Sequence, residues 1–269
     1  MIDVEAYTLF SGSSGNATYI KSGHDEFLID AGVSCRAINE ALGRLGSSLS
    51  KIRAIFITHE HTDHIKGLET ISKKYKIPVF ITSVSAKTLS NYNCYVGGCI
   101  INNEIGDKVY LDDTVIETNE TPHDSLSCTC FRITLANGTK LGYATDIGKL
   151  SQSVKENLLG CDYIVIESNH DVQMLKCGAY PYYLKQRILS DRGHLSNKNC
   201  ATYLPSLVEA GAKCIVLAHL SRDNNRPDIA FSESRLSLNT AGIRVAMKDV
   251  DGDITLRIAQ PCEPVKIIY

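Results

Sequence analysis

The sequence predicts a mixed α/β fold in which two β-sheets pack together and helices cover their outer faces. Short, nearly continuous apolar runs such as 55–57 are typical of strands covered on both faces. Apolar side chains at helical spacing follow Ser34 and again Ser196. Strands come first, then a helix, then strands again, with few of the regular alternations of a doubly wound sheet. This order favours two sheets with helices outside.

Each element is predicted by its local pattern. Alternating or continuous apolar runs predict strands, and residues three or four apart, such as Ile38, Ala41 and Leu42, predict helices. The predicted strands lie at about 4–10, 17–22, 26–30, 55–57, 78–81, 114–120, 129–136, 139–145, 162–167 and 214–218. Helices are predicted from Ser34, at about 66–75, from Ser83, in segments up to about 189, and from Ser196 to Gly211. A hairpin of strands at about 243–248 and 254–258, turned at 251–253, is expected to close the chain.

Composition restricts the class of protein. The 269 residues suit one large α/β domain spanning 1–269, and 43% apolar residues allow a sizeable core. The formal charge of −2 neither supports nor excludes a nucleic-acid substrate. The N-terminus lacks a signal-peptide pattern, no apolar run approaches membrane-spanning length, and the ten cysteines are scattered. We therefore expect a cytoplasmic protein without a membrane partner.

The stretch 58–64, THEHTDH, is the most informative part of the chain. It places His59, His61, Asp63 and His64 within six positions, although the chain has only eight histidines. A chain that leaves a strand end in a tight loop can direct alternate side chains to one point. We expect His59 and His61 to reach one cation, and Asp63 and His64 to reach a second. Imidazole and carboxylate are typical ligands of Zn²⁺, Mn²⁺ or iron.

Three further predicted strands lead to residues of the kind that bind metals. These residues are His123, Asp146 and His219. A single histidine at a strand end is more often a structural residue. The joint occurrence of three such residues beside the 58–64 stretch is what favours a metal site.

The motif HxHxDH and the residues that follow it resemble the ligand set of the metallo-β-lactamase superfamily, and the resemblance covers essentially the whole chain. It rests on His59, His61, Asp63, His64, His123, Asp146 and His219. The resemblance implies the αββα four-layer sandwich and two divalent transition-metal ions, Zn²⁺ or Mn²⁺, with iron as a further candidate. It implies that the first metal is bound by His59, His61 and His123, the second by Asp63, His64 and His219, and that Asp146 bridges both. Because Asp63 and His64 are both present, a dinuclear hydrolase is favoured over a true β-lactamase.

Four further segments resemble the YycJ (WalJ) family of bacterial proteins, which is associated with 5′-to-3′ DNA exonuclease activity. They are 11–16 (SGSSGN), 30–32 (DAG), 192–197 (RGHLSN) and 218–225 (AHLSRDNN). The interval from Asp146 to His219 is 219 − 146 = 73 residues. This interval leaves no room for the large second domain that β-CASP nucleases insert there. No Gly-rich dinucleotide motif is present, so we expect no nucleotide cofactor.

His194 lies outside the ligand set and distinguishes two kinds of chemistry. In related phosphodiesterases a histidine in a similar Gly-His context protonates the leaving oxygen, which is needed because an alkoxide is a poor leaving group. A hydroxide shared by the two cations would be the nucleophile, and Asp63 could orient it or take its proton. Substrate contacts are expected from Ser13, Asn16, Asn169 and Arg222, with Lys185, Arg187 and Arg192 as a nearby basic cluster.

We therefore expect a metal-dependent phosphodiester hydrolase that degrades DNA from a 5′ end. A glyoxalase-II-like thioesterase uses the same HxHxDH ligands, but a thiolate leaves without an acid such as His194. A small-molecule or cyclic phosphodiesterase is the other alternative. A non-enzymatic metal-binding protein is disfavoured because loss of catalysis usually leaves gaps in the ligand set.

Overall fold

The computed structural model describes residues 2–247 and 251–269, and this part of the chain forms two seven-stranded β-sheets. In spatial order the first sheet contains β14 (Val265–Lys266), β1 (Val4–Phe10), β2 (Ala17–Ser22), β3 (Asp25–Ile29), β4 (Ala54–Phe56), β5 (Val79–Ile81) and β6 (Ile100–Asn102). The second contains β13 (Thr255–Ile258), β12 (Cys214–Ala218), β11 (Tyr163–Glu167), β10 (Lys140–Ala144), β9 (Thr129–Thr134), β8 (Thr114–Glu120) and β7 (Lys108–Leu111).

The helices fall into two groups along the chain. Those between strands of the first sheet are α1 (Cys35–Arg44), α2 (Thr62–Ile65), α3 (Leu68–Tyr75) and α4 (Ser83–Thr88). Those between strands of the second sheet are α5 (Gln152–Leu158), α6 (Val172–Cys177), α7 (Tyr182–Leu189), α8 (Asn197–Glu209) and α9 (Pro227–Thr240). Among the described residues, none of the helices combines the length and apolar character needed to cross a membrane.

Three apolar clusters show how the layers are arranged. The central cluster joins the two sheets and includes Phe56 and Phe131, whose ring centroids lie 6.0 Å apart in an edge-on arrangement. A second cluster packs the first sheet against α1 and α3, with Leu42 and Ile71 among its members. A third packs the second sheet against α5, α8 and α9. This helix–sheet–sheet–helix order confirms the predicted αββα sandwich.

The strand directions bring many carboxyl ends to one edge. Strands β3, β4, β5 and β6 are parallel neighbours in the first sheet. In the second sheet β10, β11, β12 and β13 are parallel neighbours. Strand β8 runs antiparallel to β9, which is antiparallel to β10, so β8 ends at the same edge as β10. The loops that follow these strands therefore start close together.

Most predicted elements lie within a few residues of the observed ones, and their caps explain where two helices begin. The hydroxyl of Ser34 accepts from Ala37 N at 3.2 Å, and that of Ser196 accepts from Asn199 N at 3.2 Å. Helix α9 was not predicted. Its buried residues are Ala230, Ser234 and Leu238, and a buried face with only one large apolar side chain gives a weak apolar pattern.

The predicted closing hairpin was wrong, because within the described ranges β13 does not pair with the preceding segment of the chain as a hairpin would. Strand β13 pairs in parallel with β12, because the chain returns to the edge of the second sheet. Between the two predicted hairpin segments the described residues form a single bridge, from Val245 to Ile254. Residues 248–250, which include the end of the predicted first strand, lie outside the described residues.

Candidate metal centre

The candidate site lies at the edge where the strand ends meet, and its loops are packed unusually closely. The loop after β4 turns directly into α2, whose N-cap residue is His61. Asn16 N donates to Asp63 O at 2.8 Å, so the loop after β1 is attached to this ligand loop. A Cβ on Gly32 would lie only 1.7 Å from Asp63 O. Glycine at position 32 is therefore what allows the three loops to meet.

Three residues at these strand ends adopt a left-handed backbone conformation. They are Asp30 after β3, Asp146 after β10 and His219 after β12, with φ of 62°, 55° and 55°. This conformation is uncommon for residues other than glycine and costs on the order of 1–3 kcal/mol each. All three side chains reach the candidate site, Asp30 through His64 and the other two directly. The strain therefore coincides with the placement of functional groups.

The seven predicted ligand residues form one cluster. Within each of four overlapping groups, one ligand atom per residue lies within 4.8 Å of those of the others. The groups are His59–His61–His123, Asp63–His64–His219, His59–His64–Asp146 and Asp146–Glu167–His194–His219. Asp146 thus lies between the histidine triad and the group that contains His219.

Outer contacts orient the histidine rings. His64 Nδ1 lies 2.8 Å from Asp30 Oδ2, and His219 Nδ1 lies 2.8 Å from Glu167 Oε1. His123 Nδ1 donates to Gly193 O at 3.0 Å. In each ring the contact at Nδ1 leaves Nε2 directed to the cluster. Such carboxylate and carbonyl contacts set the tautomer and raise the basicity of a ligand histidine.

The electrostatics of the cluster favour positive charge. Burial alone would lower the pKa of His64, but the carboxylates of Asp30, Asp146 and Asp63 raise it well above its usual value. Burial alone would also lower the pKa of His219, but Asp146, Asp63 and Glu167 raise it well above its usual value. The same carboxylates would attract a divalent cation.

The unpaired atoms of the cluster fit a metal. His59 Nε2, Asp146 Oδ2 and His219 Nε2 are buried and have no hydrogen-bond partner among the described residues. Unpaired buried polar atoms are costly, so such a set needs a ligand. Their chemistry, imidazole nitrogen with carboxylate oxygen, suits Zn²⁺, Mn²⁺ or iron. The donor set therefore fits the group that the sequence led us to expect.

Glu167 connects the cluster to His194. Glu167 Oε1 lies 2.8 Å from both His194 Nδ1 and His219 Nδ1, and Oε2 accepts from Ile147 N and Leu195 N. Burial alone would lower the pKa of His194, but the Glu167 carboxylate and the Asp146 carboxylate raise it above the usual value. His194 lines a cavity of about 180 Å³ beside the cluster. The His194 imidazole is thus fixed by Glu167 at the wall of an open space.

Two buried carboxylates near the ligands were not predicted as site residues. Glu60 is directed away from the cluster, where it accepts from Ser85 Oγ at 2.7 Å and Ser125 Oγ at 3.0 Å. Its contacts connect the loop after β4 to the loop after His123. Asp30 belongs to the segment 30–32 of the family resemblance, and it follows the end of β3 as the candidate ligands follow their strands. Extending the strand-end argument to β3 would have found it.

The predicted substrate residues fall in different places. Ser13 and Asn169 line the 180 Å³ cavity with His194. Arg222 lines a neighbouring cavity of about 470 Å³, which also includes Ser13. Asn16 is buried against the ligand loop, with its Nδ2 3.4 Å from Asp63 Oδ2 and 3.2 Å from His64 Nε2.

The basic cluster predicted near the site is anchored to it at two points. Arg187 pairs with Asp124, whose Oδ1 lies 3.2 Å from His123 Nε2. Arg192 donates to His123 O at 2.9 Å. Lys185 Nζ donates to a main-chain carbonyl of α6 at 2.8 Å.

Comparison with known proteins agrees with the fold. Residues 25–220 match the family described as the beta-lactamase superfamily domain. The crystal structure of the metallo-β-lactamase-fold protein YhfI from Bacillus subtilis superposes with a TM-score of 0.68 at 16% identity, covering 98% of this chain and 99% of that chain. The chain belongs to the metallo-β-lactamase superfamily.

Two relatives specify the branch. The chain is 35% identical over 265 residues to the exodeoxyribonuclease YycJ of Bacillus anthracis, covering 97% of both chains. It is 32% identical over 249 residues to the exodeoxyribonuclease WalJ of Streptococcus pneumoniae, covering 90% of this chain and 92% of the relative. The expected resemblance to the YycJ (WalJ) family is confirmed.

Proposed function

We propose that this protein is a metal-dependent phosphodiester hydrolase that degrades DNA from a 5′ end. The observation that carries the proposal is His194, an imidazole that lies beside the ligand cluster, lines an adjoining cavity and is held by Glu167 at 2.8 Å. Phosphodiester cleavage needs such an acid, whereas thioester cleavage does not. The names of the two relatives, both exodeoxyribonucleases at 35% and 32% identity, support DNA as the substrate.

We propose two metal positions within the cluster. The first is bound by His59, His61 and His123, the second by Asp63, His64 and His219, and Asp146 contributes to both. The overlapping groups of ligand atoms support this division, because Asp146 belongs with residues of either set. Two divalent ions such as Zn²⁺ or Mn²⁺, when bound, lower the pKa of water and neutralise charge on the phosphoryl oxygens.

The chain's own residues supply the proton transfers. Burial alone would raise the pKa of Asp63, but His64 and His219 lower it below its usual value, so its carboxylate is ionised. An ionised Asp63 can orient the attacking water and accept its proton. His194 donates a proton to the leaving oxygen, and Glu167 keeps the imidazole charged and fixed in orientation.

Substrate contacts would come from short loops around the cluster. Ser13 and Asn169 lie in the cavity beside His194, and Arg222 lies in the next cavity. Asn16 would act indirectly, by holding Asp63 in place. We propose that 1–269 is one domain without a β-CASP insertion, which the 73-residue interval supports. Ten free cysteines fit a reducing cytoplasmic location.

The test compares two chemistries in one preparation. Single- and double-stranded DNA labelled at either end, supplied with Mn²⁺ or Zn²⁺, is incubated beside S-lactoylglutathione. We expect nucleotides to be released first from the 5′ end, and Asp146→Ala, purified identically, to release none. Turnover of the thioester without release of nucleotides from any DNA would overturn the proposal.

A further inference from the structure

The segment 176–192 combines basic and aromatic residues in a chain that is otherwise weakly acidic. Its cations are Lys176, Lys185, Arg187 and Arg192, and its tyrosines are Tyr180, Tyr182 and Tyr183. Asp191 is its one carboxylate, so its formal charge is 4 − 1 = +3, whereas the whole chain carries −2. Basic residues interleaved with aromatic rings are the composition of single-stranded nucleic-acid sites.

Two of these tyrosines have no packing role. Helix α7 buries none of its residues, and Tyr182 and Tyr183 are 77% and 74% exposed. Consecutive residues of an α-helix point about 100° apart, so the two rings lie on neighbouring faces of α7. Their exposure leaves the ring faces available to a flat partner.

Helix α7 ends at the candidate metal centre. His194 N donates to Ile188 O at 3.0 Å, and Arg187 pairs with Asp124 next to His123. Tyr183 precedes Arg187 by four residues, so the two share a helix face with a rise of about 6 Å between them. Tyr183 therefore lies about one helical turn from Arg187, which is linked through Asp124 to His123.

Two cations, one within α7 and one just after it, contact main-chain carbonyls and, among the described residues, no carboxylates. Lys185 Nζ donates to Lys176 O at 2.8 Å, and Arg192 donates to His123 O and Ser125 O. These acceptors are main-chain carbonyls, and in the described part of the chain neither cation forms an ion pair. Asp191, by contrast, pairs with Lys149 at 2.8 Å. The positive charge around α7 thus remains available to phosphates.

We infer that α7 is a binding platform for single-stranded DNA, in which unpaired bases stack on Tyr182 and Tyr183 and the backbone phosphates lie near Lys185 and Arg192. This inference rests on the proposed function and extends it to strandedness. Only unpaired bases offer their faces to side chains, so a duplex would have to be frayed to use the platform. The charge of the segment complements a polyanion, which favours DNA over a second copy of this acidic chain.

The experiment measures binding separately from turnover. Fluorescence anisotropy gives the Kd of the metal-loaded enzyme for a phosphorothioate single strand of about 12 nucleotides and for the matching duplex. For Tyr182→Ala and Tyr183→Ala, we expect the single-strand Kd to rise roughly 5- to 150-fold, as expected for the loss of one stacked base. Tyr182→Phe and Tyr183→Phe should retain most of the affinity, because a phenyl ring also stacks.

The control is Tyr110→Ala. Tyr110 is 66% exposed on β7, beside the turn to β8 and therefore at the end of the sheet away from His123. Its removal should leave the Kd at the wild-type value. Sedimentation of each variant shows whether association of the chain with itself has changed.

A second readout uses turnover. The ratio of efficiencies on single-stranded DNA and on bis(p-nitrophenyl) phosphate should fall in the alanine variants, because the small diester is too short to reach the tyrosines. Unchanged DNA affinity in the alanine variants, equal effects of Phe and Ala, or a dimer dissociated by Tyr182→Ala would each overturn the platform. Failure of the wild type to hydrolyse either diester would instead overturn the proposed function, and the anisotropy data would still decide the platform.

Discussion

Glu167 connects a proposed metal ligand, His219, to the proposed acid, His194. One of its oxygens contacts both His194 and His219, and the other accepts two main-chain amides. Burial alone would raise the pKa of this carboxyl, but His194 and His219 hold it below its usual value. An ionised Glu167 therefore fixes a ligand and the proposed acid in one geometry.

His194→Ala tests the acid at the residue scale. We expect the rate on DNA to fall by about 10²–10⁴-fold while the metal content is retained. The loss should shrink on bis(p-nitrophenyl) phosphate, because nitrophenolate leaves without protonation. His24→Ala, at an exposed histidine outside the cluster, is the matched control. Equal losses on both substrates would show that His194 only positions the substrate.

His170 allows a prediction for stability against pH. It is buried, neither ring nitrogen has a partner among the described residues, and burial lowers its pKa to about 4. The unfolded chain takes up this proton near pH 6.5 and the folded chain only near pH 4, so stability falls as pH falls between these values. The full effect is up to about 3 kcal/mol.

The variant that removes this effect is His170→Gln. Denaturant unfolding is measured in the presence of a chelator, so that metal release does not contribute. The free energy of unfolding of the variant should fall less between pH 6.5 and 4 than that of the wild type. The same slope in both proteins would contradict the assignment to His170.

At the scale of elements, α8 contains a proline whose missing hydrogen bond is supplied by α9. Pro205 lies inside α8 and has no amide hydrogen for the carbonyl of Ala201, four residues earlier. Ser237 Oγ on α9 donates to Ala201 O at 2.7 Å. The Ser237 hydroxyl thus takes the place of the amide that Pro205 lacks, and this hydrogen bond links the two helices.

Ser237→Ala should therefore destabilise the protein by about 1 kcal/mol, the usual net contribution of a hydrogen bond. Pro205→Ala restores the amide, so in that background Ser237→Ala should cost less, and denaturant unfolding of all four proteins gives the coupling. Ser232→Ala, at an exposed position of the same helix, is the control. Additive effects would mean that the serine does not replace the proline's missing bond.

At the scale of the whole molecule, the proposed ligand residues come from both sheets. His59, His61, Asp63 and His64 follow β4 of the first sheet. His123, Asp146 and His219 follow β8, β10 and β12 of the second. Bound metals would therefore act as cross-links at one edge of the sandwich, in addition to their chemistry.

Metal removal should consequently lower the melting temperature. With free metal at roughly 100 times its Kd, chelation should lower Tm by about 5–10 °C. Elemental analysis should find two transition-metal ions per chain. Asp146→Ala should bind less metal and respond less to the chelator. A wild-type Tm that is indifferent to chelation would contradict the cross-linking role.

The sequence by itself determined the fold class and which residues gather in the candidate metal centre. Both depend on local patterns. A buried strand followed by a short polar loop, as at His59 or Asp146, shows where the strand ends and which residues follow its carboxyl end. Parallel strands then bring their carboxyl ends together whatever their order in the sheet. Once the family resemblance was recognised, the loop residues could be assigned to a single metal centre.

Only the tertiary structure decided where the neighbouring side chains are directed. Asn16 binds the Asp63 loop, and Glu60, placed between two ligand histidines, is directed away from the cluster to Ser85. Strand β13 joins β12, and α9 packs on α8 in an apolar cluster that includes Ala230 and Leu238, with one hydrogen bond from Ser237. Each outcome depends on which distant element lies opposite. Periodicity along the chain carries no information about that partner, because packing is a property of two surfaces.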